Sequence, residues 1–365
     1  MVHPVINMRR LLKKRSVLML FPILLVSVAI SGPSGNTNQN KRLVSVAGVG
    51  DIMPGSSYPS ARYLPPGDDP AAFISEAAGF LKEADIAVGN LEGSFLDYGE
   101  PYKKCRDTTI CYLFRIPERY SSVLSKCGFD FISIANNHFL DFGYAGATRT
   151  MKILDSLGIS FAGTETVPYS IIVRDSLTFG FCAFSTTTGS VILHDYGRAE
   201  EIVRALDKKC NIVIVSVHAG AEGASYQRVV KGQEFFYGEN RGNVYEFAHR
   251  MIDAGADIIF GHGPHVPRAL EVYRERLICY SLGNFFTYGR MNISGPNGLA
   301  PVIIVNTDTE GRFVSGTIHS FQQTYQGPVR PDPLRQAVKK IRELTLLDFP
   351  ETGPQISDNG EIKPV

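Results

Sequence analysis

The sequence lacks a Cys-x-x-Cys pair among its six cysteines, which argues against a cysteine-ligated zinc site. It also lacks an excess of charge of either sign, because 37 Lys and Arg residues are balanced by 36 Asp and Glu residues. A chain so close to neutral has no electrostatic basis for binding nucleic acid or anionic lipid. Internal repeats are absent as well. The composition, 44% hydrophobic and 20% charged, is that of a globular protein.

A membrane-spanning helix needs about twenty consecutive apolar residues, and no hydrophobic run in the sequence is that long. The N-terminal apolar run, residues 17–30, is shorter and follows a basic segment that contains Arg9, Arg10 and Arg15. Basic residues, an apolar core and then small polar residues predict an export signal. It is either a signal peptide cleaved before Gly32 or a retained signal-anchor. We therefore predict a secreted or membrane-anchored protein that works outside the cytoplasm.

The predicted signal covers residues 1–31, and the sequence after it divides into three parts. Residues 32–42 form a polar linker, residues 43–330 form the main domain, and residues 331–365 form a helix and a polar tail. Strands and helices alternate in the first part of the domain and hairpins follow, which predicts an α/β fold with mixed sheets. Cys105 and Cys111 lie close together in a polar loop, where export would permit a disulfide.

Five predicted strands each end in a turn that carries a metal-binding or acid–base side chain. One such residue alone is more often a turn former or a packed side chain. Because the ends of parallel strands share one edge of a sheet, five of them together predict a common site. Carboxylates, amides and imidazoles are ligands for divalent Mn, Fe or Zn, as one ion or as two about 3.5–4 Å apart. The strand-end residues are Asp51, Asn90, Glu92, Asn136, Asn137, His138, His218, His262 and His265.

The order of these motifs resembles that of the CapA capsule-synthesis family, which includes the poly-γ-glutamate synthesis accessory proteins. The resemblance runs from about Val44 to Phe286 through GDIM, NLEG, ANNHFLDFG, SVHAG, GADIIFGHGPHV, EVY and YSLGNF. The family's domain is similar to the calcineurin-like metallophosphoesterases. The resemblance implies a four-layer α/β/β/α sandwich of two mixed sheets, with the site on the loops at the strand ends.

The resemblance also implies roles for individual residues. Six positions match metal ligands: Asp51, Glu92, Asn137, His218, His262 and His265. His138 matches the residue that protonates the leaving group. The phosphoesterase pattern has a further histidine two residues after its first aspartate, where this chain has Met53, so one metal site is expected to be weakened or lost.

Five other residues complete the candidate site. Asp141 is expected to orient His138 through a hydrogen bond, with helix capping as the alternative. Asn90, Asn136, Glu222 and Asn284 are candidate substrate-binding residues. For Glu222 the alternative is a solvated loop residue, and for Asn284 it is a residue that only holds its loop.

Two functions remain open from the sequence. The first is an exported metal-dependent hydrolase or transferase, phosphoesterase-like or γ-glutamyl amide-cleaving, in the synthesis, release or attachment of poly-γ-glutamate or another cell-surface polymer. The second is a non-catalytic, membrane-proximal subunit that binds the anionic polymer or the membrane synthase subunits. Met53 favours the second. Arg268 is interpreted as a surface charge in preference to a contact with an anionic substrate.

Overall fold

The computed structural model of the protein describes residues 42–104 and 112–365. The predicted export signal, almost all of the linker and the Cys105 and Cys111 pair lie outside these residues. Lys41–Val365 forms one compact unit. Within the described part of the chain, no helix combines the length and the apolar character that crossing a bilayer requires.

The described chain contains six α-helices and twenty-one strands. The helices are α1 (Ser75–Glu83), α2 (Ser122–Cys127), α3 (Gly143–Ser156), α4 (Tyr196–Asp207), α5 (Val244–Asp253) and α6 (Gln336–Asp348). The strands are β1 (Val44–Met53), β2 (Ile86–Leu91), β3 (Ser94–Phe95), β4 (Arg115–Ile116), β5 (Phe131–Ser133), β6 (Ser160–Ala162), β7 (Tyr169–Arg174), β8 (Leu177–Ser185), β9 (Ile212–His218), β10 (Phe235–Phe236), β11 (Glu239–Asn240), β12 (Ile258–His262), β13 (Leu270–Tyr273), β14 (Arg276–Cys279), β15 (Asn284–Thr287), β16 (Val302–Thr307), β17 (Phe313–His319), β18 (Phe321–Gln323), β19 (Val329–Pro331), β20 (Gln355–Ile356) and β21 (Glu361–Lys363).

Fifteen of these strands form two mixed sheets. The nine-stranded sheet has the order β20-β21-β17-β16-β1-β2-β5-β6, and β15 also pairs with β1. The six-stranded sheet has the order β13-β14-β12-β9-β8-β7. In the nine-stranded sheet β1, β2, β5, β6 and β15 run parallel, and in the six-stranded sheet β8, β9, β12 and β14 do so. Hairpins add antiparallel strands to both sheets.

Three apolar clusters separate the layers of the fold. Because β1 is buried on both faces, Val46 faces the cluster between the sheets and Val49 faces the cluster under α1, α2 and α3. Between the sheets, the rings of Phe131 and Phe181 stack with their centroids 5.0 Å apart. A third cluster, which includes Phe247, joins α4 and α5 to the outer face of the six-stranded sheet. The predicted four-layer α/β/β/α sandwich is therefore confirmed.

The C-terminal segment is built into this sandwich. Val338 and Ile341 of α6 belong to the cluster between the sheets, whereas Leu344 belongs to the outer cluster. The residues that the sequence predicts as a polar tail form β20 and β21, and β21 pairs with β17. Buried Ile362 on β21 explains this pairing, since one face of the short strand is apolar.

Close approach of the backbone at Gly261 holds the end of β12 in place. A Cβ atom added to Gly261 would lie 2.1 Å from the carbonyl oxygen of Tyr280. We expect Gly261→Ala to lower the free energy of unfolding by about 1–3 kcal/mol, because overpacking forces the strands apart. It should also displace the neighbouring His262. Thermal unfolding followed by circular dichroism would measure the loss of stability.

Gly79→Ala is the matched control for this prediction. Gly79 lies inside α1, and nothing is within 4 Å of a Cβ atom added there. Alanine should leave stability unchanged or raise it, because glycine is unfavourable in a helix interior. Equal melting temperatures for the two variants would contradict the close approach at Gly261.

Candidate metal centre

The parallel strands of both sheets end at one edge of the sandwich, and the side chains at their ends lie together there. In the nine-stranded sheet Asp51 is in register with Asn90, and Asn90 is in register with Ser133. In the six-stranded sheet His218 is in register with His262. The loops that follow β2, β5 and β12 add the remaining side chains. The fold thus brings all five predicted strand ends together.

Asp51 is the fully buried centre of this cluster. Its Oδ2 atom lies 2.9 Å from Nδ1 of His265, and its Oδ1 atom lies 3.2 Å from Nδ1 of His262. Burial alone would raise the pKa of the Asp51 carboxyl, but the contacts with His262 and His265 hold that pKa well below its usual range. Asp51 is therefore a carboxylate.

Glu92, just after β2, faces three histidines from three different strand ends. Its Oε1 atom lies 3.5 Å from Nε2 of His218, 3.6 Å from Nε2 of His265 and 3.9 Å from Nε2 of His138. The side chain is fully buried, yet neither carboxyl oxygen has a hydrogen-bond partner among the described residues. Burial raises the pKa of Glu92 to about 7.

Burial and charge act in opposite directions on two of these histidines. Burial lowers the pKa of His218 to about 3, so its imidazole is neutral and has a lone pair to donate. For His265 burial also opposes protonation, but the charges of Glu92 and Asp51 prevail and raise its pKa to about 10. In this arrangement a proton on His265 partly compensates two buried carboxyl groups.

A chain of side-chain amides links Asp51 to the loop after β5. The Asn90 amide donates a 2.9 Å hydrogen bond to Asp51, and the Asn136 amide donates a 3.0 Å hydrogen bond to Asn90. Asn136 in turn accepts from the backbone N–H of His138. The side-chain amides of Asn90 and Asn136, two of the four predicted substrate-binding residues, are thus engaged with protein groups, and they fix the positions of Asp51 and His138.

His138 is held in one orientation by Asp141. The Nδ1 atom of His138 lies 2.8 Å from Oδ2 of Asp141, which also accepts a 2.8 Å hydrogen bond from the backbone N–H of Phe114. The Phe114 ring packs against the imidazole at a centroid distance of 4.2 Å. Asp141 and Phe114 therefore leave Nε2 of His138 directed toward Glu92.

The remaining predicted residues lie around this centre. Asn137 has a buried Oδ1 atom without a hydrogen-bond partner among the described residues. Glu222 accepts from Arg241 and lines a cleft of about 220 Å³ together with His138 and His265. Burial would raise the pKa of Glu222, but the charges of His265 and Arg241 lower it.

Asn284 lines the cleft and also holds the neighbouring loop in place. Its Oδ1 atom lies 3.1 Å from Nδ1 of His265, and its amide donates to the backbone carbonyls of Asn292 and Asn297. Asn297 donates in the same way to the carbonyl of His265. These bonds hold His265 in a left-handed backbone conformation, at a φ of 57°.

The Met53 side chain lies in the apolar core and not at the candidate metal centre. It is fully buried in the apolar cluster beneath α1, α2 and α3. Just before Met53, the pairing of β1 with β15 shifts register between Asp51 and Ile52. The position that the phosphoesterase pattern fills with histidine therefore contributes only packing here.

Sequence reasoning missed the groups that position the cleft loops. Arg268 is not a surface charge: it is fully buried and makes two 2.8 Å hydrogen bonds to Glu234. The amide N–H of Ala221 donates to the same carboxylate, which ties down the chain next to Glu222. A buried arginine has no periodic signal, so only the fold identifies it.

The residues at this edge suit a divalent cation. Glu92 and His262 have side-chain atoms that are buried and without a hydrogen-bond partner among the described residues, and such atoms need a ligand. One ligand atom each from Asp51, Glu92 and His265 lie within 4.8 Å of one another. His218 adds a neutral imidazole beside Glu92. Mixed carboxylate and imidazole ligands fit Mn, Fe or Zn better than Mg or Ca.

Residues 45–288, which carry every strand-end side chain described above, match the family of bacterial capsule synthesis proteins, PGA_cap. The chain belongs to this family. The matched region makes up about two-thirds of the chain and contains His218, His262 and His265 as well as Asp51 and Glu92.

Two relatives are capsule proteins of bacilli. The chain is 29% identical over 269 residues to the capsule biosynthesis protein CapA of Bacillus anthracis, a match that covers 68% of this chain and 60% of that protein. It is 28% identical over 320 residues to the PGA biosynthesis protein CapA of Bacillus subtilis strain 168, covering 83% and 78%. The chain thus spans less than two-thirds of the Bacillus anthracis protein.

Two solved structures with a partly similar course of the chain come from Thermus thermophilus. A hypothetical protein superposes with a TM-score of 0.46 at 16% identity, covering 77% of this chain and all of that one. A 5'-nucleotidase precursor superposes with a TM-score of 0.46 at 11% identity, covering 79% and 56%.

Proposed function

We propose that the protein is an exported, divalent-metal-dependent hydrolase or transferase that acts on poly-γ-glutamate or a related anionic cell-surface polymer. It would assist the synthesis, release or attachment of that polymer beside membrane synthase subunits. The family and the printed names of its Bacillus relatives support the polymer class. The predicted signal at residues 1–31 supports export.

One observation carries the metal-dependent part of the proposal. Glu92 is a buried carboxyl group with two oxygens that lack hydrogen-bond partners among the described residues, and it faces imidazoles of three strand ends. Burying such a group without a partner is costly, whereas ligation of a cation would satisfy it. Asp51, Glu92, His218, His262 and His265 would hold the ion.

The ion would supply Lewis-acid polarisation of the bond to be cleaved. His138 would protonate the leaving group from Nε2, because Asp141 occupies Nδ1 and fixes the ring. Asn90 and Asn136 would hold Asp51 and the His138 backbone in register. Cleavage of either an amide or a phosphoester needs these same groups.

The competing function is a non-catalytic subunit that binds polymer or synthase on the same scaffold. The burial of Met53 in the apolar core favours it, because that position supplies no ligand to a second ion. Binding of polymer without turnover would establish this second function.

His138→Ala tests the catalytic proposal. The variant should keep its metal content but lose turnover of a γ-glutamyl peptide or a phosphodiester by about 10²–10⁴-fold, the usual contribution of a general acid or base. Metal content would be measured by mass spectrometry and turnover with added Mn²⁺. His262→Ala should instead lose metal, because it removes a proposed ligand.

His194→Ala is the matched control, since His194 is exposed and lies outside the centre. It should keep both metal and activity. If the purified wild-type protein binds no Mn, Fe or Zn, the metal-dependent proposal is wrong.

A further inference from the structure

A second, larger cleft adjoins the metal centre. It has a volume of about 1020 Å³, whereas the cleft over His138 and His265 has about 220 Å³. The two share a wall that includes Tyr112, Arg290 and Met291. The two clefts therefore adjoin each other along these residues. At this volume the large cleft is at the upper end for small-molecule sites, so it suits a segment of a longer chain.

Among the described residues that line the large cleft, four are cations and none is acidic. The four cations are Arg62, Lys103, Lys104 and Arg290. In the described part of the chain, Arg62, Lys104 and Arg290 form no ion pair. Lys103 alone is partly engaged, with Nζ 3.7 Å from Oδ1 of Asp141. The described lining of the cleft thus carries an excess of positive charge in a protein of net charge +1.

Tyrosines hold two of these cations in place. The Arg290 guanidinium lies over the rings of Tyr63 and Tyr112, 5.1 Å and 4.9 Å from their centroids. The Arg62 guanidinium also lies over the Tyr63 ring, 4.6 Å from its centroid. A Cβ atom on Gly289 would lie 3.1 Å from the Tyr63 backbone, so the Arg290 loop packs closely on this tyrosine. Stacking fixes the charges without neutralising them.

We propose that this basic cleft binds a flexible chain of repeating carboxylates and leads it to the metal centre, with Arg290 at the junction. This inference rests on the proposed function and names the binding path of its substrate. Several cations gathered in one cleft match the repeated negative charges of such a chain. The tyrosine rings and hydroxyls match the methylene and amide groups between those charges, as in γ-linked glutamate.

The test measures binding of a fluorescein-labelled γ-linked glutamate decamer to the full chain by fluorescence anisotropy. The triple variant Arg62→Gln/Lys104→Gln/Arg290→Gln should bind about tenfold or more weakly, since each exposed ion contact contributes a few-fold. Wild-type affinity should fall with added salt, as expected for exposed charges. Lys103 stays unchanged in this variant because it touches Asp141.

The matched control removes three exposed lysines elsewhere: Lys126→Gln/Lys152→Gln/Lys208→Gln. These residues lie on α2, on α3 and just after α4, outside both clefts. The control variant has the same net charge as the cleft variant and should bind the decamer like the wild type. Equal weakening in both variants would overturn the proposal, because net charge alone would then explain binding.

Three competing ligands identify the chemical class that the cleft binds. Polyphosphate, oligo(dT) and a γ-glutamyl dipeptide would compete against the labelled decamer. Weak competition by all three supports a carboxylate chain, and stronger binding of polyphosphate or oligo(dT) overturns it. Metal content and peptide turnover, measured on the same samples, separate the two proposals: absence of both defeats the metal-dependent function without changing the anisotropy result.

Discussion

Asp51→Asn should remove bound metal and reduce turnover by about 10³-fold. Asparagine keeps the shape of the side chain but loses the charge that His262 and His265 contact. A metal ion supplies several kcal/mol of transition-state stabilisation, and about 4 kcal/mol corresponds to this factor. Metal content by mass spectrometry and turnover with saturating Mn²⁺ would measure the two effects.

Asp257→Asn is the matched control for Asp51→Asn. Asp257 is also buried, but it lies at the opposite end of β12, where it accepts hydrogen bonds from Val213 and Arg276. Burial raises its pKa to about 6, and asparagine keeps the shape of the side chain and an oxygen that can accept a hydrogen bond. This variant should keep metal and activity. Full metal occupancy in Asp51→Asn would show that the ion is held elsewhere.

Arg268→Ala should cost about 3–5 kcal/mol of unfolding free energy, because it leaves the buried Glu234 carboxylate without its partner. Arg268 also donates to the backbone carbonyls of Ala221 and Tyr226. Its loss should therefore loosen the chain around Glu222 as well as destabilise the fold. Urea unfolding would measure the first effect, and amide hydrogen exchange the second.

Replacing both Arg268 and Glu234 shows whether the loss of stability comes from an unpaired buried charge or from lost packing. Arg268→Met/Glu234→Met should recover part of the stability, because it removes the unpaired charge but still leaves the backbone groups of Ala221 and Tyr226 without these partners. Arg342→Ala breaks the exposed pair with Asp358 and should change the melting temperature little. A similar loss in Arg268→Ala and Arg342→Ala would contradict the role of burial.

The strand-end residues could be predicted from sequence because parallel strands impose a common direction. Each of the five motifs follows a short apolar run, and the end of such a run marks the edge of the sheet. The motifs therefore locate Asp51, Glu92 and His265 at one edge without any knowledge of their distances. The four-layer architecture follows from the family resemblance, and the three apolar clusters confirm it.

Other features depend on geometry that no local pattern records. The family resemblance implies a histidine where this chain has Met53, but only the structure shows that the Met53 side chain lies in the apolar core. Arg268 and Glu234 are 34 residues apart, so nothing local indicates that they pair. The basic cleft gathers Arg62, Lys104 and Arg290 from distant loops, and a near-neutral composition conceals it.

The sequence distance between the centre's residues has a consequence for the order of folding. Asp51 and His265 are in contact although 214 residues separate them along the chain. A contact of such separation carries a cost in chain entropy, because the long loop between the two residues must close before the contact is made. A chain in which this loop is still open would therefore lack the centre. Affinity for a cation would then report that the two sheets have been joined at this edge.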